Sequence, residues 1–216
     1  LDGEVFGMLR VVITFVFALM LSATAWAGNW NNNKKKNIEL SFTVNRPDVP
    51  LNVYAMRNTL HLPKTNDETY GVVVLLHGCG GINPKNQRDL VRWGKLLLQN
   101  GYAVLFIDHL GPRGVKKNCG RSRPLNSTIL TKDVYTGTRF LNTQPKIDKT
   151  RIFTLGFSLG AMTGGALASQ KNHARLGKDA PRPRAVVGLY GGCYSGEEWL
   201  QSIADLPVLW LVGGHD

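Results

Sequence analysis

Cysteine is scarce: the 216 residues hold three, Cys79, Cys119 and Cys193, and no two stand at Cys-x-x-Cys spacing. Without such a pair or a Cys/His set, neither a structural zinc site nor a thioredoxin-type dithiol is expected. No Gly-Lys-Ser/Thr follows any glycine-rich turn, which argues against a phosphate-cradling loop. No residue pattern calls for a metal or a cofactor. Acidic residues are also few, 15 against 26 Lys and Arg, for a formal net charge of +11. The basic residues are scattered, apart from Lys34–Lys35–Lys36 and the stretch from Arg113 to Arg123. No nucleic-acid-binding motif accompanies them, so the charge reads as a basic surface or an acidic ligand, and nucleic acid is not an expected partner.

Long apolar runs are missing too. The longest, Val11 to Leu21, is short for a bilayer span; it follows Arg10 and precedes Ala25-Trp26-Ala27. That order, with small residues where a signal peptidase reads, predicts a signal peptide over Met8–Ala27 with cleavage near Gly28. The expectation is an exported protein, periplasmic or secreted, with no stable membrane span after cleavage. Residues 28–37 are Asn- and Lys-rich and read as a flexible lead. In an oxidising compartment three cysteines permit one disulfide and leave one thiol over. Sequence leaves the pairing open, and Cys119 with Cys193 is one candidate, since both follow strands.

What is present, from residue 38 onward, is one α/β domain; 43% hydrophobic residues suffice for a sizeable core. Ile38, Leu40, Phe42 and Val44 alternate with polar residues, and Leu51 and Val53 resume the alternation after a turn. This predicts an antiparallel hairpin at the sheet edge. Then the pattern changes. Val72–Leu76, Ala103–Ile107, Ile152–Leu155, Ala185–Leu189 and Val208–Val212 are short continuous apolar runs, as strands buried on both faces require. Segments of helical period separate them, over Leu90–Leu98, Ile129–Leu141 and Leu159–Ala168. The alternation implies a mostly parallel sheet with helices on both faces.

In such a sheet chemistry collects at the carboxyl ends of strands. The first buried strand is followed by His77-Gly78-Cys79-Gly80-Gly81, the third by Gly156-Phe157-Ser158-Leu159-Gly160, and the last by Gly213-Gly214-His215-Asp216. Gly156-x-Ser158-x-Gly160 has the form of a nucleophile elbow, a sharp strand-to-helix turn that lifts a serine hydroxyl clear of the sheet. It also sets the Leu159 amide at a helix N-terminus, where an oxyanion is stabilised. The turn after the first strand exposes backbone N–H groups, and the Cys79 amide could complete the oxyanion hole. His77 reads as a hydrogen-bonded structural histidine. Asp216, leaving the last strand, is placed to orient a histidine as a triad acid does. Arg113, in Gly111-Pro112-Arg113-Gly114, is a candidate to pair with a substrate carboxylate.

These segments (VVVLLHGCGG, GYAVLFIDHLGPRG, RIFTLGFSLGA and PVLWLVGGHD, in that order) resemble the dienelactone hydrolase family of α/β hydrolases from about Ile38 to the end. The resemblance implies hydrolysis of a small-molecule ester or lactone through an acyl-enzyme, with Ser158 as nucleophile, Asp216 as acid and the amides of Cys79 and Leu159 as oxyanion hole. The enzyme that names the family carries cysteine as nucleophile and a glutamate where this chain has Gly78, so general carboxylesterase activity is the safer expectation. The family order is nucleophile, acid, histidine. All five histidines here precede Asp216, and the sequence reads as a fragment lacking its general base, its last strand and a closing helix. Two other readings use the same residues: a non-catalytic ligand- or partner-binding relative, and acyl transfer or peptidase chemistry on the same triad.

Overall fold

The computed structural model describes residues 36–45, 51–52, 55–85, 87–120, 123–176, 181–192 and 206–214. The Met8–Ala27 segment, most of the lead, Val53, Cys193, His215 and Asp216 lie outside the described residues. Two units divide the chain, Leu1–Ile38 and Glu39–Asp216; the second is the α/β domain. Among the described residues no helix is long and apolar enough to cross a membrane.

The strands are β1 (Thr43–Val44), β2 (Thr59–His61), β3 (Tyr70–Leu76), β4 (Ala103–Ile107), β5 (Ile147–Phe157), β6 (Val186–Leu189) and β7 (Val208–Leu211). Helix α1 (Gln87–Gln99) joins β3 to β4, α2 (Ser127–Asn142) joins β4 to β5, and α3 (Leu159–Ala168) with α4 (Gln170–Leu176) leads towards β6. The sheet order is β1-β2-β4-β3-β5-β6-β7. Every pair is parallel except β2 with β4. Strands thus stand where the five apolar runs predict them, but β7, at the edge of the described sheet, is not buried: Leu209 is 53% and Leu211 51% exposed.

The expected N-terminal hairpin is not what supplies the antiparallel pair. Thr43–Val44 runs parallel to β2, and Leu51 is not in a strand. The strand that returns is Thr59–His61, antiparallel to β4 with Leu60 opposite Leu105. Three residues, one of them histidine, carry no legible period. The strand forms because His61 is buried with both ring nitrogens engaged: Nε2–H donates to the Ala55 carbonyl at 2.8 Å and Nδ1 accepts from Asn45 at 3.0 Å.

Side chains along β3 alternate between two cores. Val72, Val74 and Leu76 pack with Leu105, Ile107, Val134, Tyr135 and Leu141, on the face covered by α2. Val73 and Leu75 pack with Val104, Phe106, Leu90 and Leu97, under α1. Burial of each such side chain contributes about 1.5–3 kcal/mol. A side chain at Gly94 would meet the Phe106 ring at 2.6 Å, so α1 rides close on β4. The Asn126 side chain caps α2 by accepting from the Ile129 N–H at 3.0 Å, an interaction worth about 1 kcal/mol.

Candidate active site

Ser158 joins β5 to α3 with φ 51° and ψ −109°. A non-glycine residue rarely adopts a left-handed φ, and holding one there costs on the order of 1–3 kcal/mol. The surroundings fix it: its N–H donates to the Leu189 carbonyl at 2.9 Å, and its carbonyl accepts from Met162 N–H at 3.0 Å. The flanking glycines are required by contact. A Cβ on Gly156 would run into the backbone of Gly160 and stand 2.6 Å from the Ala161 nitrogen, and one on Gly160 would run into the Leu76 carbonyl. The helix that follows is almost entirely buried. Leu159 is its first residue, so its N–H is among those with no partner inside the helix.

The glycine-rich turn faces this elbow. A Cβ on Gly78 would stand 3.6 Å from the Ser158 Cβ and 3.5 Å from the Phe157 carbonyl oxygen. The turn closes with Gly81 N–H on the Gly78 carbonyl at 3.0 Å, with Gly81 at φ 74°. His77 is the structural histidine the sequence implies. Its Nε2 accepts from the His109 N–H at 3.1 Å, which leaves Nδ1–H to donate to the Gly78 carbonyl at 2.6 Å.

Burial first, and then neighbouring His109, push the His77 pKa from 6.5 down to about 4; the Gly78 carbonyl, Asp108 and Asp133 pull the other way. The unfolded chain therefore binds a proton near pH 6.5 that the folded chain refuses until about pH 4. Stability is expected to fall as pH drops through that window, by up to about 1.4 kcal/mol per pH unit from this group. Urea unfolding at a series of pH values measures it, and a His77→Gln variant should show a shallower slope. Equal slopes for the two proteins would contradict the assignment.

Cys79 is bonded to Cys119, with Cα atoms 5.0 Å apart. The Cys119–Cys193 pairing is thereby corrected: the segment after the 3-10 turn Gly111–Arg113 folds back over the glycine-rich turn, and its Asn118 N–H donates to the Cys79 carbonyl at 2.7 Å. A cleft of about 720 Å³ opens beside the turn, lined by Gly78, Cys79, Arg88, Cys119, Phe157 and Tyr190 among others. Tyr190 closes its far side at φ 42°, its ring 5.9 Å from that of Phe157. Burial, and then Asp89, raise the Tyr190 pKa, so the phenol stays protonated at neutral pH.

Arg113 does not lean over this cleft. It is 4% exposed, and its Nη1 and Nη2 each donate to an Asp133 carboxylate oxygen at 2.8 Å, with Nη1 also donating to the His109 carbonyl at 2.8 Å. His109 Nδ1–H donates to the same carboxylate at 2.8 Å. The substrate-binding role expected for Arg113 is overturned: its fork is spent on a buried partner from α2. Sequence reading misses Asp133 because a lone mid-helix carboxylate carries no local mark of its partners, Arg113 and His109, which lie twenty or more residues away. Of the expected site residues, the structure brings Ser158, Leu159 and the Cys79 turn together; Asp216 lies outside the described residues. Among the described residues no histidine hydrogen-bonds the Ser158 hydroxyl, and His61, His77 and His109 are engaged elsewhere.

No protein-family profile and no curated protein sequence matches the chain. Solved structures do. A Klebsiella pneumoniae protein assigned as a dienelactone hydrolase superposes at TM-score 0.50 with 20% identity, over 69% of this chain and 63% of its own. A dienelactone hydrolase-like promiscuous phosphotriesterase from metagenomic libraries gives 0.46 and 18%, over 73% and 62%. Est1E from Butyrivibrio proteoclasticus gives 0.42 and 16%, over 61% and 45%. This chain thus spans less than two thirds of the length of each of the three. The strand order, the antiparallel β2–β4 pair among the described residues and the likeness to the Klebsiella structure together give the chain the α/β-hydrolase fold, with dienelactone hydrolases among its structural neighbours.

Proposed function

We propose that the protein is a serine hydrolase of carboxylic esters or lactones that works through an acyl-enzyme on Ser158. The observation that carries this is the strained serine itself: φ 51° at a strand-to-helix turn, with the glycine-rich turn a Cβ contact away. Backbone strain held by several constraints marks a position where a side chain must be presented in one direction. Here that side chain is a hydroxyl at the carboxyl end of a central strand.

In this reading Ser158 Oγ attacks the substrate carbonyl and its proton passes to a histidine oriented by Asp216. The carbonyl electrons move onto oxygen, where the N–H groups of Cys79 and Leu159 stabilise the charge. The C–O bond then breaks and the alcohol leaves with the proton. Water repeats the sequence on the acyl-enzyme and frees Ser158. Arg88 and Tyr190, on the cleft wall, are placed to meet the acyl or alcohol portion. No cofactor takes part.

The test is turnover of p-nitrophenyl acetate by the full gene product, with and without an added alcohol as acceptor. Acetate as the main product supports hydrolysis. Acetyl transfer to the alcohol in preference to water would make the protein an acyltransferase, and no turnover of any ester would favour a binding protein on the same fold. Export through Met8–Ala27 belongs to the same proposal. The Cys79–Cys119 disulfide supports it, since such bonds persist mainly in oxidising compartments. N-terminal sequencing of the protein recovered outside the cytoplasm should begin near Gly28.

A further inference from the structure

The turn that carries the Cys79 amide has little to hold it by itself. Of the four residues from Gly78 to Gly81, three are glycines, which restrict the backbone least. Gly78 and Gly80 have local bonds, their carbonyls accepting from Gly81 N–H, His77 Nδ1–H and Asn83 Nδ2–H, but Cys79 is restrained by one short segment about forty residues on. Asn118 is fully buried, and its main-chain N–H donates to the Cys79 carbonyl at 2.7 Å. Its side chain makes two further bonds, Nδ2–H to the Leu125 carbonyl and Oδ1 from the Leu125 N–H, each 2.9 Å. Next to it Cys119 is bonded to Cys79. Leu125 in turn belongs to an apolar cluster with Leu110, Leu130 and Leu159, against which Cys79 and Val115 pack. The two amides assigned to the oxyanion hole, those of Cys79 and Leu159, are therefore carried by residues whose side chains meet in one cluster, and Asn118–Cys119 is the clasp that closes it. Cys119 itself is exposed and lines the cleft, so the disulfide is open to solvent.

We propose that Asn118 and Cys119 are positioning residues that hold the Cys79 amide for the oxyanion, and that this makes turnover sensitive to dithiols. The proposal rests on the hydrolase reading of Ser158. Dithiothreitol supplies the electrons: its thiolate attacks one cysteine sulfur, and the Cys79–Cys119 bond breaks and releases the other cysteine. Its second thiolate then attacks the reagent's own sulfur in the mixed disulfide and expels the first cysteine as thiolate. Two cysteine thiols remain in the protein and the reagent leaves as its cyclic disulfide, so electrons and protons balance.

Two measurements on the full gene product decide it, at a temperature where circular dichroism shows the reduced protein still folded. With p-nitrophenyl acetate, reduction is expected to lower kcat roughly 10- to 100-fold, short of or equal to the loss of a whole oxyanion donor, with KM within about twofold. Oxidised dithiothreitol should restore it, and Cys119→Ser should show the low kcat with no response to either reagent. In parallel, amide hydrogen exchange should quicken on reduction in the peptide covering 77–82 and not in helix Ser127–Asn142. Unchanged kcat and unchanged exchange at 77–82, or an equal loss of protection throughout the domain, would overturn the proposal. A protein that turns over no ester in either redox state removes the hydrolase reading, and the catalytic role of the clasp with it; exchange at 77–82 then decides only whether the disulfide restrains the turn.

Discussion

Changing Ser158 to alanine is expected to lower kcat/KM for an activated ester by on the order of 10⁴- to 10⁶-fold, leaving what binding and the oxyanion amides alone supply. The loss should fall on kcat, because the hydroxyl forms its bond only along the reaction path. Stability should respond differently. At φ 51° any Cβ is strained, so Ser158→Ala keeps the strain while Ser158→Gly releases it. The glycine variant should unfold at a higher urea concentration than the alanine variant, by about 1 kcal/mol. A serine idle in a packing turn would show neither the kinetic loss nor a reason for such strain. Equal activity in wild type and Ser158→Ala would remove the mechanism.

The second large effect is expected at Arg113, and on stability. Replacing it with alanine strands the Asp133 carboxylate, 3% exposed, with the His109 Nδ1–H as its remaining partner. Breaking a buried pair from one side costs about 3–5 kcal/mol, which for a domain of this size lowers the melting temperature by roughly 10 °C. Arg113→Lys should recover little, since both fork nitrogens are used at 2.8 Å and an ammonium cannot reproduce the bidentate contact. Removing both charges, Arg113→Met with Asp133→Leu, should recover most of the loss. Had Arg113 faced substrate, its removal would raise KM for an anionic ester far more than for a neutral one. The buried geometry instead predicts equal, small KM changes for both esters wherever the variant stays folded.

Much of this was legible in the residues. Val72–Leu76 and Ala103–Ile107 announce buried parallel strands because both faces are covered and nothing polar interrupts them. The elbow is readable because only glycine fits at 156 and 160, where backbone passes backbone. Three things escaped, each for a reason of reach. Thr59–His61 is a strand through pairing with β4 and through the two bonds of His61, neither of which leaves a local pattern. The Arg113–Asp133 pair links a turn after β4 to the middle of α2, twenty residues apart, and each residue alone looks like a solvated charge. The Cys79–Cys119 bond depends on how the 115–120 segment folds back, which the spacing of three cysteines does not fix.

The central claim is a covalent intermediate on Ser158, and the most direct measurement is its capture. Brief reaction of the full gene product with p-nitrophenyl acetate, acid quenching and tryptic digestion would isolate Ser158 in the peptide spanning residues 152–171. The expected result is an acetyl group on Ser158 that forms in the burst phase, disappears on the timescale of turnover and is absent from Ser158→Ala. Turnover with no adduct on that peptide, or an adduct carried by another residue at the same rate in both proteins, would contradict the account.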